Sequence, residues 1–231
     1  CVNEWHTLCV DLNIPQSLGF NFIAILGSEI KIQNWNIAGL PRDTFSIENS
    51  IIMDNSTRYS LFIDPQNQAN KWIKEMERSN ELVVVKFTQS DYMKKIEMCI
   101  EEGRPVLIEN ILQELEAPLD PILLKHTFRQ GTADFINLGD NVLQFSSKFR
   151  LYMTTSLRNP HYLPEIFNKV TIINFALTLQ GLEDQLLGIV VAKERPDLQE
   201  LRETLIKEKA HNQQMLRSIE DSILRTLSES A

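Results

Sequence analysis

Three short stretches hold residue types that could do chemistry on a phosphate. The first is Asp64-Pro65-Gln66-Asn67-Gln68-Ala69-Asn70-Lys71, a polar turn between an apolar run and a helical pattern. A strand–turn–helix of this kind is where a nucleotide's phosphates are cradled by a loop of the form G-x-x-x-x-G-K-[ST]. In that frame Asp64 and Ala69 stand at the two glycine positions, Asn70 at the lysine and Lys71 at the Mg²⁺-binding hydroxyl. The exchanges remove the backbone freedom to fold around a polyanion and the point charge that balances the β/γ-phosphates. Asp64 also sets a negative charge where the polyanion would lie. Lys71 as a displaced phosphate lysine is the alternative, but one residue around a helix is a rotation of about 100°, so its side chain should point elsewhere. The turn is expected to persist on its own hydrogen bonds, with no phosphate held.

The second stretch is Ile108-Glu109-Asn110, closing a short apolar run. Active nucleotide hydrolases of this architecture end that strand in Asp-Glu, the first residue for Mg²⁺ and the second to polarise water. Here Glu109 takes the metal position and Asn110 the base position, and an amide cannot accept a proton at neutral pH. A lone carboxylate is a weak metal site, so Glu109 reads as a hydrogen-bonded carboxylate at the edge of the core. The third stretch is Thr154-Thr155, at a strand end where a polar residue would sense the γ-phosphate. Threonine is common there for strand propensity alone. No catalytic residue, metal site or cofactor is expected: His126 and His161 lack Cys or His partners at ligand spacing. Cys99 reads as a small core residue rather than a nucleophile.

The elements that must position these residues follow from periodicity. Strands are expected at Tyr59–Ile63, Leu82–Phe87, Pro105–Ile108, Phe149–Thr155 and Val170–Phe175. Helices are expected at Gln66–Arg78, with Ala69, Trp72, Ile73 and Met76 on one face, and at Ser90–Glu102, stopped by Gly103. This β-α-β-α-β order implies parallel crossovers and an α/β sheet. Phe135–Phe145, around Gly-Asp-Asn, reads as a hairpin, 111–126 as short helices, and 158–168 as a loop. Upstream, 1–13 is helical, 20–26 is a second apolar segment, 31–43 reads as a loop, and Ser46 as a helix cap. Trp35 in that loop either docks on a neighbour or covers its own core. A helix opens at Thr178, and from Asp197 to the end there is neither Gly nor Pro. There Leu198, Leu201, Leu205, Leu216, Ile219, Ile223 and Leu227 form a stripe that projects or packs on another helix.

Composition narrows the field. With 231 residues and a net charge of −8, the chain can bury a core, and carries no basic footprint for nucleic acid or membrane. No apolar run reaches membrane-spanning length. Cys1, Cys9 and Cys99 read as reduced thiols of a cytosolic protein. The 8 glycines leave none between Gly39 and Gly103, which excludes a Gly-rich cradle there.

The segments IDPQNQANKWIKEME (63–77), GLPRDTFSIEN (39–49), NPHYLPE (159–165), INFALTLQGLEDQLL (173–187) and ERPDL (194–198) resemble the fifth AAA+ module of a dynein heavy chain, with wording closer to axonemal members. The resemblance runs over nearly the whole chain. It implies an AAA+ fold, a P-loop NTPase-like parallel sheet flanked by helices with a long C-terminal helix. It implies a non-catalytic module in a six-module ring, contacting the fourth and sixth modules. Through a helical buttress beginning near Pro196, the module would support the microtubule-binding stalk. It also implies a division into 1–58 (helices and linker leading in), 59–177 (large subdomain) and 178–231 (start of small subdomain and buttress), an excised fragment lacking the return helix, and a cytoplasmic, axonemal location. Family members place an interface arginine near the NP…Y…LP segment. Arg158 is the candidate here, against the reading of an exposed loop arginine. Two other functions stay open: a nucleotide-binding ATPase module with an unconventional site at Lys71 and Glu109, and a coiled-coil adaptor pairing through 196–230.

Overall fold

Alternation along the strands decides how this chain layers. In the computed structural model, which describes residues 2–14, 22–139 and 141–229, Leu61, Val106, Ile108, Leu151 and Met153 face one core. Their neighbours Phe62, Leu107 and Tyr152 face another. Successive strand side chains point to opposite faces, so strands that are apolar on both need cover on both.

Helices α1 (Val2–Asp11), α2 (Phe22–Leu26), α3 (Glu29–Ile37) and α4 (Thr44–Asn55) lead into strand β1 (Ser60–Ile63) and helix α5 (Gln68–Met76). Then follow β2 (Val83–Lys86), α6 (Tyr92–Glu102), β3 (Val106–Glu109), α7 (Asp120–Leu123), β4 (Thr127–Gln130), β5 (Ala133–Leu138), β6 (Asn141–Gln144) and β7 (Leu151–Thr155). The chain continues through α8 (Pro164–Lys169), β8 (Thr171–Asn174), α9 (Leu179–Glu194) and α10 (Pro196–Glu229). Five strands form a parallel sheet in the order β2-β3-β7-β1-β8. Residues of α6 and α7 pack against one face, and Trp35 of α3, Ile51 of α4 and Trp72 of α5 against the other. The chain therefore has the α/β fold expected, a parallel sheet flanked by helices. The central strand β7 is buried along its whole length.

Several local expectations change. Residues 29–37 are helical, not a loop: Glu29 starts the helix with an acidic first turn, and Gly39 at φ 96° follows its end. The cap of α4 is Asp43, whose carboxylate accepts from the Ser46 backbone N–H at 3.0 Å, while Ser46 lies buried one turn in. Segment 158–168 holds the short helix α8, opened by Pro164, because proline at a first helical position lacks only an N–H that had no partner anyway. The hairpin β5–β6 is present, and β4 extends it to a three-stranded antiparallel sheet. Residues 20–21, Cys1 and Asp140 of the hairpin turn lie outside the described residues. Gly103 ends α6 at φ 74°, where an added Cβ would come within 2.5 Å of Ser146 Oγ. Thr178 caps α9 through the Gly181 N–H at 3.1 Å. Cys9 and Cys99 are buried thiols.

Of the two readings of Trp35, cover of its own core is the one the structure favours: it is 7% exposed and meets Trp72 edge-to-face at 6.1 Å, because α3 lays it over the sheet.

Candidate functional site

Register places the chemistry-bearing stretches on one edge. Ile63 of β1 pairs with Thr155 of β7, Ile108 of β3 with Met153 of β7, and Lys86 of β2 with Glu109. The carboxyl ends of the parallel strands therefore bring Asp64, Thr154, Thr155 and Glu109 together, the edge on which open α/β sheets bind ligands.

At the turn, Asp64 is only 1% exposed. Its backbone N–H donates to the Thr155 carbonyl at 2.8 Å, which fixes it to the sheet. Its carboxylate reaches forward over the start of α5. Oδ1 accepts from the Gln68 N–H at 2.8 Å and Oδ2 from the Asn70 N–H at 2.9 Å. Burial pushes the Asp64 carboxyl above its ordinary range, against the pull of those N–H groups and of the Lys71 charge. Asn67, at φ 58°, turns the chain and makes no side-chain cap bond. Gln66 points away from the turn, where its Oε1 accepts from the Leu177 N–H at 3.3 Å. The side chain that fills the turn is thus Asp64, with Pro65, Gln66 and Asn67 forming only its outer wall. Lys71 is exposed.

At the end of β3, Glu109 is clamped from three sides. Asn70, at the lysine position of the phosphate-loop frame, donates its Nδ2 to Glu109 Oε1 at 2.8 Å. Lys74 Nζ lies 2.5 Å from the same oxygen, and Lys86 Nζ lies 3.6 Å from Oε2. Burial alone would raise the Glu109 carboxyl. The Lys74 and Asn70 hydrogen bonds and the two lysine charges outweigh it, and hold the group below the usual carboxylate range. Asn110 is exposed at φ 59°. Beyond it lies a cleft of about 620 Å³ lined by Phe87, Leu112 and Leu157 beside Lys86 and Glu109.

Thr154 and Thr155 are buried and serve the backbone. The Thr154 carbonyl accepts from the Ile111 N–H at 3.0 Å, and Thr155 Oγ1 from the Leu157 N–H at 3.3 Å. Arg158 is exposed in the loop after β7 and enters no ion pair among the described residues. Among those residues no group of three or more His, Cys, Asp or Glu is placed to hold a metal. No helix among them is long and apolar enough to cross a membrane.

Lys74 and Lys86 escaped the reading of the sequence. Both had a signal: Lys74 sits one helical turn after Asn70, and Lys86 ends an apolar strand whose parallel neighbour ends in Glu109.

Residues 33–231 match the family model described as the ATP-binding dynein motor region. The chain is 53% identical over 230 residues to dynein axonemal heavy chain 3 of Homo sapiens, covering 100% of this chain and 6% of that protein. It is 50% identical over 228 residues to human dynein axonemal heavy chain 1, covering 99% of this chain and 5% of that protein. To dynein axonemal heavy chain 2 of Mus musculus it is 44% identical over 225 residues, covering 97% of this chain and 5% of the relative. The chain thus spans about one-twentieth of the length of these relatives.

Proposed function

The chain belongs to the dynein heavy chain family, within its motor region, and from that premise we propose that it is an AAA+ module that carries force and carries out no nucleotide chemistry of its own. It sits in the ring of an axonemal microtubule motor, between the fourth and sixth modules. Residues 1–58 lead into it, 59–177 form the large subdomain, and 178–231 begin the small subdomain and the buttress. Movements of the ring reach the stalk as displacement of α10. Such coupling needs two packings of similar energy and no local reaction.

The observation that carries this reading is the clamp on Glu109. A carboxylate that recruits Mg²⁺ must offer its oxygens to the ion. Here Oε1 is taken by Asn70 and Lys74, and Oε2 faces Lys86. A cation at that point would sit against two ammonium groups. The residue that follows, Asn110, cannot take a proton from water. Residues 33–231 match a family model described as ATP-binding, so nucleotide binding by this chain is the reading that competes with this one.

Titration calorimetry of the chain with MgATP and MgADP tests the reading. No heat of binding is expected up to about millimolar nucleotide, equivalent to less than about 4 kcal/mol of affinity. A dissociation constant near micromolar, lost in Lys71→Ala, would replace this function with that of a nucleotide-binding module.

A further inference from the structure

We infer that the amino edge of the parallel sheet carries an anion site, formed by Arg58, Lys125 and Arg150 around one cavity and suited to a phosphate group, free or borne on a phosphorylated side chain. The site lies at the opposite end of the strands from Asp64 and Glu109 and goes beyond the proposed function.

The cavity measures about 260 Å³. The segments that enter β1 and β7 supply most of its wall, and Lys125, just past α7, completes it. Its size falls below the range of about 300–1,000 Å³ that takes drug-sized ligands, so the occupant is small. In a chain of net charge −8, three cations around one cavity are a local reversal of sign. All three are exposed, so a dissolved or protruding anion can reach them.

The cations are held in place without being neutralised. Arg58 donates its Nη1 to the Phe167 carbonyl at 3.0 Å. Lys125 donates its Nζ to the Thr57 carbonyl at 2.6 Å, and the same atom stands 4.8 Å from the centre of the Tyr59 ring. Its backbone lies at φ 51°, a region that residues with a Cβ seldom adopt. A guanidinium has five N–H donors and an ammonium three, so both groups keep donors to spare. Among the described residues none of the three cations pairs with a carboxylate. Two carboxylates lie near Arg150, and both are spent elsewhere. Asp54 is taken by Lys31 at 2.6 Å, and Glu77 accepts from the Tyr152 hydroxyl and the Asn80 amide, each at 2.6 Å. Ser60 and Ser147 line the same cavity and carry hydroxyls. Two guanidinium forks and an ammonium exceed what one carboxylate balances. A phosphate group, with a charge of about −1.5 to −2 at neutral pH and three oxygens for bidentate arginine contacts, matches them.

Titration calorimetry of the 231-residue chain with inorganic phosphate tests this, at low ionic strength where exposed charges are screened least. A dissociation constant of about 1 mM or tighter is expected. It should weaken at least about tenfold in the Arg58→Gln/Arg150→Gln chain and stay unchanged in Arg129→Gln, which neutralises an exposed arginine on β4. Equal affinity in the two variants overturns the site, as does absent binding or acetate binding as tight as that of phosphate. Should the double variant fail to fold, amide chemical shifts of the unmodified chain on adding phosphate decide. Shifts are expected at 57–60 and 147–151; shifts confined to the start of α5 overturn the assignment. O-phosphoserine separates the two sources: tighter binding than inorganic phosphate assigns the site to a phosphorylated side chain, weaker binding to the free ion. Nucleotide binding lost in Lys71→Ala would remove the proposed function and leave this site standing. Phosphate binding indifferent to Arg58 and Arg150 removes this site alone.

Discussion

The carboxyl edge of the parallel sheet and the outer length of α10 satisfy themselves to opposite degrees. At the sheet edge, donors and acceptors meet one another: Asp64 takes the amides of α5, and Glu109 is shared by Asn70, Lys74 and Lys86. Along α10, Leu198, Leu201, Leu205, Leu216, Ile219, Ile223 and Leu227 stand exposed on a helix of 34 residues. Such a helix is about 50 Å long, and apolar contacts at this spacing are what a second helix covers. The difference separates a surface that is closed on itself from one that is open to a partner. A site whose polar groups are all paired internally gains little from a ligand, whereas an apolar stripe left in water gains from any partner that covers it.

The largest break in this comparison comes from beneath the turn. Trp72 is fully buried, stacks on Phe175 at 5.8 Å and meets Trp35 at 6.1 Å. Trp72→Ala is expected to cost about 3–5 kcal/mol in urea unfolding. It removes the apolar seat of α5 and leaves the polar contacts of the turn in the sequence. Since the turn is filled from within, MgATP should not restore the lost stability. A nucleotide-dependent rise in the variant's midpoint would mean that the edge is not self-satisfied.

Much of this architecture is legible in the sequence. The strand–turn–helix at 60–78, the buried strands ending at Glu109 and Thr155, and the Gly103 stop follow from short-range rules: alternation, helical spacing, left-handed glycine. The substitutions at Asp64, Ala69, Asn70 and Lys71 could be read in frame because spacing defines the loop. What sequence could not supply was partnership. That Asp64, and not Gln66 or Asn67, fills the turn depends on strand β1 delivering it under α5. The Lys74–Glu109–Lys86 clamp needs α5, β3 and β2 side by side, contacts between residues far apart in the chain. The helix at 29–37 is hard to read from sequence because its pattern is weakly amphipathic and Gly39 and Pro41 follow closely.

A smaller effect sharpens the electrostatic half of the comparison. Glu109 has a side chain 11% exposed, and its pKa is held low by Lys74, Asn70 and Lys86. A carboxylate whose folded-state pKa is depressed contributes stability above its unfolded value of about 4.3. That stability is lost as pH falls through the lower folded value. Glu109→Gln keeps the Asn70 contact and removes the charge, for an expected loss of about 1–2 kcal/mol at pH 7. The gap between the two chains should narrow as pH drops below about 4.3. Asp64 shifts the other way, its folded pKa raised, so its contribution is lost as pH rises. It is common to both chains and cancels in the difference. A gap independent of pH would show that the clamp holds Glu109 by shape alone.

The smallest expected effect is the most telling for α10. Leu216→Gln, Ile219→Gln and Ile223→Gln together replace three exposed apolar side chains with a good helix former. If the stripe awaits a partner, the α/β body should not register the change. Near-ultraviolet circular dichroism, reporting on the buried Trp35 and Trp72, should then give an unfolding free energy within about 0.5 kcal/mol of the unmodified chain. Pairing of α10 with a synthetic amphipathic helix should meanwhile be lost. A drop of more than about 1 kcal/mol in the body would place the stripe on the module's own surface. Contact between α10 and α3 gives that outcome a physical route, since α3 carries Trp35 into the core beside the phosphate turn. Under the proposed function, the contact between α10 and α3 is also the route by which a displacement of α10 would reach the sheet.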